Sequence, residues 1–323
     1  MDFHTTEYHQ EWEDDDLITR RRAHKTDRAL HKKRTIHNVA DEIAANAPAE
    51  ALGADEEFHP TFTGSRYERA WLYDYLAPFY HDHIIHDVLR QVKGGKEATV
   101  YCCLADARMP MRYIAAKVYR PKMFRALKND AVYRQGRVMR DEENQVVRGR
   151  REKLAMQKKT GFGQELLHNA WLANEFAFLQ RLAAAGVAVA QPIAHSNNAI
   201  LMEYLGDAQL PAPTLNTVRL ARDEAQALFD RVVHHIAQML AHDCVHADLS
   251  AFNILYWDGD FRIIDFPQAV SPYVNPQAFQ MFERDVTRIC EYFMRYDLRA
   301  DARQLARELW KQNVARDASE VFL

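Results

Sequence analysis

The residues with the most chemical content are Asp248, Asn253 and Asp265. They lie in His246-Ala247-Asp248-Leu249-Ser250-Ala251-Phe252-Asn253 and, a short way downstream, in Ile263-Ile264-Asp265-Phe266. Phosphoryl transfer from ATP needs such a set: one carboxylate to orient or deprotonate the acceptor, and an amide plus a carboxylate to hold a metal ion. Asp248 suits the first task, and Asn253 with Asp265 the second. Mg²⁺ prefers oxygen ligands, which both supply, with Mn²⁺ as the alternative cation. The same residue types also serve as loop caps and turns. The flanking sequence favours catalysis, because Ile254-Leu255-Tyr256-Trp257 and Phe261-Arg262-Ile263-Ile264 enclose an Asp258-Gly259-Asp260 turn. That pattern predicts a β-hairpin carrying Asp265 back to the end occupied by Asn253.

A nucleotide must be held opposite that set. Lys93-Gly94-Gly95-Lys96-Glu97 precedes an apolar run at residues 99–104, which reads as a strand after a loop whose glycines let backbone approach phosphate. It is not a Walker A loop, since Lys96 does not follow GxxxxG and no Ser or Thr succeeds it. Tyr113-Ile114-Ala115-Ala116-Lys117-Val118-Tyr119 reads as a strand with one lysine in apolar surroundings. A lysine there is costly unless an anion receives it, which predicts contact with the α- and β-phosphates. Glu175, on an amphipathic helix running to about Ala184, is the expected carboxylate partner of Lys117. Residues 187–193 and 199–204 read as further strands. Met202-Glu203-Tyr204-Leu205-Gly206 resembles the hinge joining two kinase lobes, where adenine would meet the Glu203 carbonyl and the Leu205 N–H. Ala225, Leu228, Phe229, Val232, Ile236, Met239 and Leu240 recur at helical spacing and lead into the Asp248 loop.

The rest of the chain sets the bounds. Its 323 residues suffice for one two-lobed domain, and a net charge of −3 makes the whole no obvious polyanion binder. Four cysteines without CxxC spacing fit a reducing compartment, and no apolar run reaches membrane-spanning length. The expected location is therefore cytoplasmic. Residues 1–65 read as a charged, disordered extension, with a short helix near 39–45. An acidic run at 11–16 precedes eight Lys or Arg among residues 20–34. That basic run suits an RNA phosphate backbone, or is neutralised by the acidic run before it. Residues 66–92 read as helical. His81, His83 and His86 lie close together there, but no carboxylate or thiolate pattern completes a metal site. Residues 120–159 carry thirteen Lys or Arg against five Asp or Glu, the composition of a mobile insertion beside the phosphate loop.

Taken together, Gly95-Lys96-Glu97-Ala98-x-Val100-Tyr101, the Lys117 strand, Trp171-x-x-x-Glu175, His246-Ala247-Asp248-Leu249-Ser250-x-Phe252-Asn253 and Ile264-Asp265-Phe266-Pro267-Gln268 resemble the RIO family of atypical serine/threonine protein kinases. The pieces occur in family order over roughly residues 66–300. Gly94 departs from the Ser or Thr common there. Asp265-Phe266-Pro267 stands where ordinary protein kinases have Asp-Phe-Gly, and 58 residues follow Asp265. The resemblance implies an α+β, two-lobed protein-kinase-like fold with a reduced C-terminal lobe. Residues 66–205 would form the nucleotide-binding lobe, with a flexible loop at 120–160, and residues 206–323 the catalytic lobe. It also implies ATP and Mg²⁺ dependence, Gly95, Lys96, Glu97, Lys117, Glu175, Glu203 and Leu205 around the nucleotide, and Asp248 as catalytic carboxylate. His246 would brace the loop backbone. Asp265 would serve as metal ligand and, by family behaviour, as acceptor of an aspartyl-phosphate in an ATPase cycle. Association with ribosomal particles is the implied partner. Two alternatives stay open: a small-molecule kinase of the aminoglycoside or choline type, and a nucleotide-gated ribosome-binding module.

Overall fold

The sequence of strand β3, Tyr113–Tyr119, shows how the N-terminal half is built. Strand residues alternate between faces. Ile114, Ala116 and Val118 enter one apolar cluster, while Ala115 and Tyr119 enter another, with Lys117 on their side. β5, Ala199–Glu203, divides in the same way: Ala199 and Leu201 go to the first cluster, Ile200 and Met202 to the second. One sheet thus separates two apolar layers.

The computed structural model describes residues 58–95, 97–119 and 161–314. The chain falls into two compact units. The first, residues 1–57 with 65–70, is described only at Ser65–Ala70, and the second comprises residues 58–64 and 71–323. The extension at 1–57, Lys96 and the basic stretch 120–159 lie outside the described residues.

In the second unit, β1 (Ile85–Gly94), β2 (Ala98–Ala105), β3, β5 and β4 (Pro192–His195) form an antiparallel five-stranded sheet in the order β1-β2-β3-β5-β4. Helix α1 spans Arg66–His81, and its Leu72, Leu76 and Phe79 fill the first apolar layer. Helix α2, Gly161–Ala184, contributes Leu172, Phe176, Leu179 and Leu182 to the second. The helix expected over residues 66–92 therefore stops at His81, and a strand follows from Ile85. Buried Ile85 and Val88 lie three residues apart because β1 slips register against β2 between Ile85 and Asp87 and again between Val88 and Arg90. Such bulges give a strand the apolar spacing of a helix.

A second correction concerns residues 187–193, expected as one strand. Only Pro192–His195 joins the sheet. Residues 188–190 instead exchange backbone hydrogen bonds with Ile263, whose N–H donates to the Ala188 carbonyl at 2.7 Å. Val189 and Ala190 are buried there without a sheet partner on each side.

Past the hinge, Gly206 has φ +130°, and a Cβ there would collide with the Leu210 carbonyl oxygen, so the Gly206–Pro211 turn requires glycine. Helix α3, Arg222–Ala241, buries Ala225, Leu228, Val232, Ile236, Met239 and Leu240, the face that the spacing predicts. β6 (Ile254–Trp257) and β7 (Asp260–Ile263) pair as an antiparallel hairpin. Asp258 and Gly259 both have positive φ, +49° and +77°, as a two-residue turn matched to strand twist demands. Helix α4, Ala278–Phe293, buries Met281, Phe282, Val286, Ile289 and Phe293, and α5, Ala302–Asn313, packs against it. Among the described residues no helix is long and apolar enough to cross a membrane.

Candidate active site

A cavity of about 490 Å³ opens between the sheet and the hairpin. Val92, Val100, Ala115, Met202, Leu255 and Ile264 give it apolar walls, while Gly95, Glu97, Glu203, Tyr204 and Leu205 lie along its edge. Lys117, Glu175, Asn253 and Asp265 line the same space. Of the residues expected around a nucleotide, Gly95, Glu97, Lys117, Glu175, Glu203 and Leu205 are thus brought together, and Lys96 lies outside the described residues. Gly95 sits against the strand that follows, with its N–H on the Ala98 carbonyl at 2.9 Å. A Cβ at Gly95 would come within 2.7 Å of that oxygen.

Lys117 is the electrostatic centre. Its Nζ lies 2.6 Å from Glu175 Oε1 and 2.6 Å from Asp265 Oδ1. Burial alone would lower the lysine pKa, but Asp265 and Glu175 outweigh it and hold the pKa well above the ordinary value. Glu175 is 1% exposed. Its other oxygen accepts from the Tyr119 hydroxyl. The Tyr119 pKa is raised, by burial first and by Glu175 next, so the phenol stays a donor. The Tyr119 ring packs edge-on against Trp171, whose Nε1–H donates to the Pro267 carbonyl at 2.9 Å. Helix α2 thereby holds Glu175 and the Asp265-Phe266-Pro267 segment together. Sequence reasoning missed Tyr119 as a site residue. Its position two residues after Lys117, on the same strand face, was the available signal.

The hairpin brings Asn253 and Asp265 to one end, where the Ile264 N–H donates to the Asn253 carbonyl at 3.0 Å. Asn253 Nδ2 donates to the Asp248 carbonyl at 2.9 Å, which leaves Oδ1 as the amide atom available to a ligand. Asp265 adopts φ +73°. Burial would raise its pKa, but Lys117 outweighs that effect and holds the carboxyl below its usual range. A free amide oxygen beside an ionised carboxylate is a donor set that fits a hard divalent cation.

His246 is buried and braces the loop. The Asp248 N–H donates to its Nδ1 at 3.3 Å, so Nε2 carries the proton and donates to the Ile264 carbonyl at 3.1 Å. Burial lowers its pKa and keeps the ring neutral, as that arrangement requires. Glu203, by contrast, spends its side chain on Arg262 at 3.1 and 3.3 Å, and its N–H donates to the Gln191 carbonyl at 2.8 Å. His235, in α3, pairs with Gln238 and His83 with Asp106, so both are absorbed by structure.

Helix α4 adds three residues that sequence reasoning did not find. Arg288 Nη1 donates to Asp248 Oδ1 at 2.9 Å, and Arg284 donates to the Ala247 carbonyl. Between them Asp285 has both carboxylate oxygens buried without a hydrogen-bond partner among the described residues. Burial pushes its pKa up to about 8, against the weaker pulls of Arg284, the nearby Ala247 N–H and Arg288. The folded chain therefore keeps a proton on Asp285 that the unfolded chain loses near the ordinary value of 3.8. With more protons bound when folded, stability falls as pH rises from about 4 to about 8 and levels off above. Asp285→Asn removes this slope. Between pH 5.5 and 8.5 the Tm of the unsubstituted chain should fall roughly 10 °C more than that of the variant, measured in parallel melts. Equal falls in the two proteins contradict the buried proton.

Comparison with known proteins meets this geometry. The family model described as RIO domain matches residues 100–305. Human serine/threonine-protein kinase RIO1 is 33% identical over 129 residues, which is 40% of this chain and 22% of that protein. RIO-type serine/threonine-protein kinase Rio1 of Haloferax volcanii is 34% identical over 136 residues, 42% of this chain and 46% of that protein. The protein of the same name from Thermoplasma acidophilum is 33% identical over 131 residues, 41% of this chain and 67% of that protein. The matched stretches span less than half of the human and Haloferax proteins. The RIO model covers well over half of the present chain, from β2 to α5, and with the antiparallel sheet over a helical half it establishes that this α+β, protein-kinase-like chain belongs to the RIO family.

Proposed function

We propose that the chain is an ATP- and Mg²⁺-dependent atypical serine/threonine protein kinase with ATPase activity. The observation that carries this reading is Lys117, gripped by Glu175 and Asp265 in a cavity that Asn253 also lines. In the proposed roles the apolar walls take the adenine, and backbone at Glu203 and Leu205 meets its polar edge. Lys117 orients the phosphates, and the Gly95-Lys96-Glu97 loop covers them. Asn253 Oδ1 and the Asp265 carboxylate would hold the divalent cation, which supplies charge neutralisation on the phosphates. Asp248 accepts the acceptor hydroxyl's proton as that oxygen bonds to the γ-phosphorus and the bond to the β-phosphate oxygen breaks.

The finer reading makes Asp265 an acceptor as well. One of its oxygens would bond to the γ-phosphorus with release of ADP, and water would then cleave the acyl-phosphate. Lys117 holds Oδ1 alone, which leaves Oδ2 for that step. The domain reading is of a nucleotide-binding lobe at 66–205 and a catalytic lobe at 206–323. An RNA or ribosomal partner is suggested by the family resemblance and by the basic segments at residues 20–34 and 120–159, with the denser run at 20–34 as the main contact. It falls if removing residues 1–34 leaves RNA retention unchanged.

Asn253→Ala and Asp265→Asn should each weaken Mg²⁺-dependent ATP binding by about tenfold or more, because each removes an oxygen donor or its charge. Thermal stabilisation by ATP, equal with and without Mg²⁺ and unchanged in both variants, would contradict the metal assignment. Incubation with γ-labelled ATP separates the finer reading. Label on the protein that hydroxylamine removes is an acyl-phosphate, and label that survives it is a phosphoserine or phosphothreonine.

A further inference from the structure

Arg288 projects from α4, not from the loop or hairpin that carries the other site residues. Its Nη1 lies 2.9 Å from Asp248 Oδ1. Among the described residues it is the only side-chain partner of that carboxylate, since Asn253 holds the Asp248 backbone carbonyl instead. The two side chains are 39% and 42% exposed, and an ion pair so open to water adds little to stability. Its significance lies in what it orients. Asp248 has two χ angles and an open surface on one side, so without a partner its carboxylate samples several rotamers. Arg284, one helical turn before Arg288, binds the carbonyl of Ala247, the residue before Asp248. Ala247 itself has φ +64°, a conformation that an unsupported alanine rarely keeps. Two guanidinium groups one turn apart on α4 therefore hold two consecutive residues of one loop, the first by its backbone and the second by its carboxylate.

We infer that Arg288 is a positioning residue for phosphoryl transfer, fixing Oδ1 of Asp248 so that Oδ2 points to the incoming acceptor hydroxyl. The inference rests on the role proposed for Asp248. Arg288 takes no proton and touches no nucleotide in this scheme. It limits the rotamers of the carboxylate, and losing such alignment costs rate more than binding.

The test uses the full chain with ATP, Mg²⁺ and a generic protein acceptor, and follows label transfer and ADP release. Arg288→Ala should lower kcat about 10- to 100-fold, with KM for ATP within about twofold of the unsubstituted chain and an unchanged melting curve. Arg288→Lys should recover part of the loss, and guanidinium added at millimolar concentration should partly restore Arg288→Ala, which a structural role would not permit. Asp248→Asn is run beside them. If Asp248→Asn is inactive while Arg288→Ala keeps its kcat within about twofold, the positioning role alone is overturned. If Asp248→Asn keeps full turnover, or the unsubstituted chain transfers no phosphoryl group, the role of Asp248 falls and the inference falls with it. An Arg288→Ala variant that loses kcat but responds to neither lysine nor guanidinium also overturns it.

Discussion

Lys117→Met is expected to abolish measurable turnover and to destabilise the fold as well. The ammonium lies 2.6 Å from a carboxylate oxygen of Glu175 and 2.6 Å from one of Asp265. Its removal takes away the proposed contact to the phosphates, worth about 100- to 1,000-fold in kcat for a preorganised charge-assisted donor. It also strands Glu175, 1% exposed, with Tyr119 as its remaining close partner. Breaking a buried ion pair from one side costs about 3–5 kcal/mol, because the surviving charge keeps its desolvation penalty. For a domain of this size that is a fall in Tm of roughly 10 °C. The double variant Lys117→Met/Glu175→Gln separates the two effects. It should regain most of the lost stability and none of the turnover, since the stranded charge is gone but the phosphate contact is not restored. A Lys117→Met protein that melts with the unsubstituted chain, or still turns over ATP at its rate, contradicts this account.

Asp248→Asn should show the opposite division. The Asp248 side chain is 42% exposed and its one described side-chain partner is Arg288, so little folding energy depends on it. The isosteric amide keeps the loop shape but cannot take a proton from the acceptor. General-base catalysis is worth about 100- to 10,000-fold, so label transfer should fall by that factor. ATP affinity should stay within about twofold, because in the proposed scheme Asp248 meets the acceptor and not the nucleotide. Equilibrium titration with a fluorescent ATP analogue, set beside single-turnover transfer, measures the two quantities separately. A matched loss in both would move Asp248 from the acceptor to the nucleotide.

Site and fold were not equally legible before the structure. Local rules carried the strand at Tyr113–Tyr119, the face of α3 and the β6–β7 hairpin, because side-chain alternation, helical spacing and a two-residue turn are properties of a few neighbouring residues. The hairpin also explains why Asn253 and Asp265 could be paired from sequence: two short strands and a tight turn leave their ends no other place to go. The same local rules misled at residues 85–92, where bulges gave a strand helical spacing. They misled again at residues 187–191, where apolar side chains were buried by backbone contact with Ile263 and not by sheet neighbours.

Sequence by itself determined the residue types of the site and the family they resemble, since Lys117, Glu175, Asp248, Asn253 and Asp265 sit in short segments whose chemistry can be read in place. Only the tertiary structure decided how those groups are held. Tyr119 against Glu175, Trp171 against Pro267, and Arg284 and Arg288 against the loop at 247–248 are separated in sequence by 37 to 96 residues. No spacing rule reaches that far. A hydrogen bond depends on where two elements come to rest, and that is settled by the burial of apolar faces elsewhere on the same helices and strands.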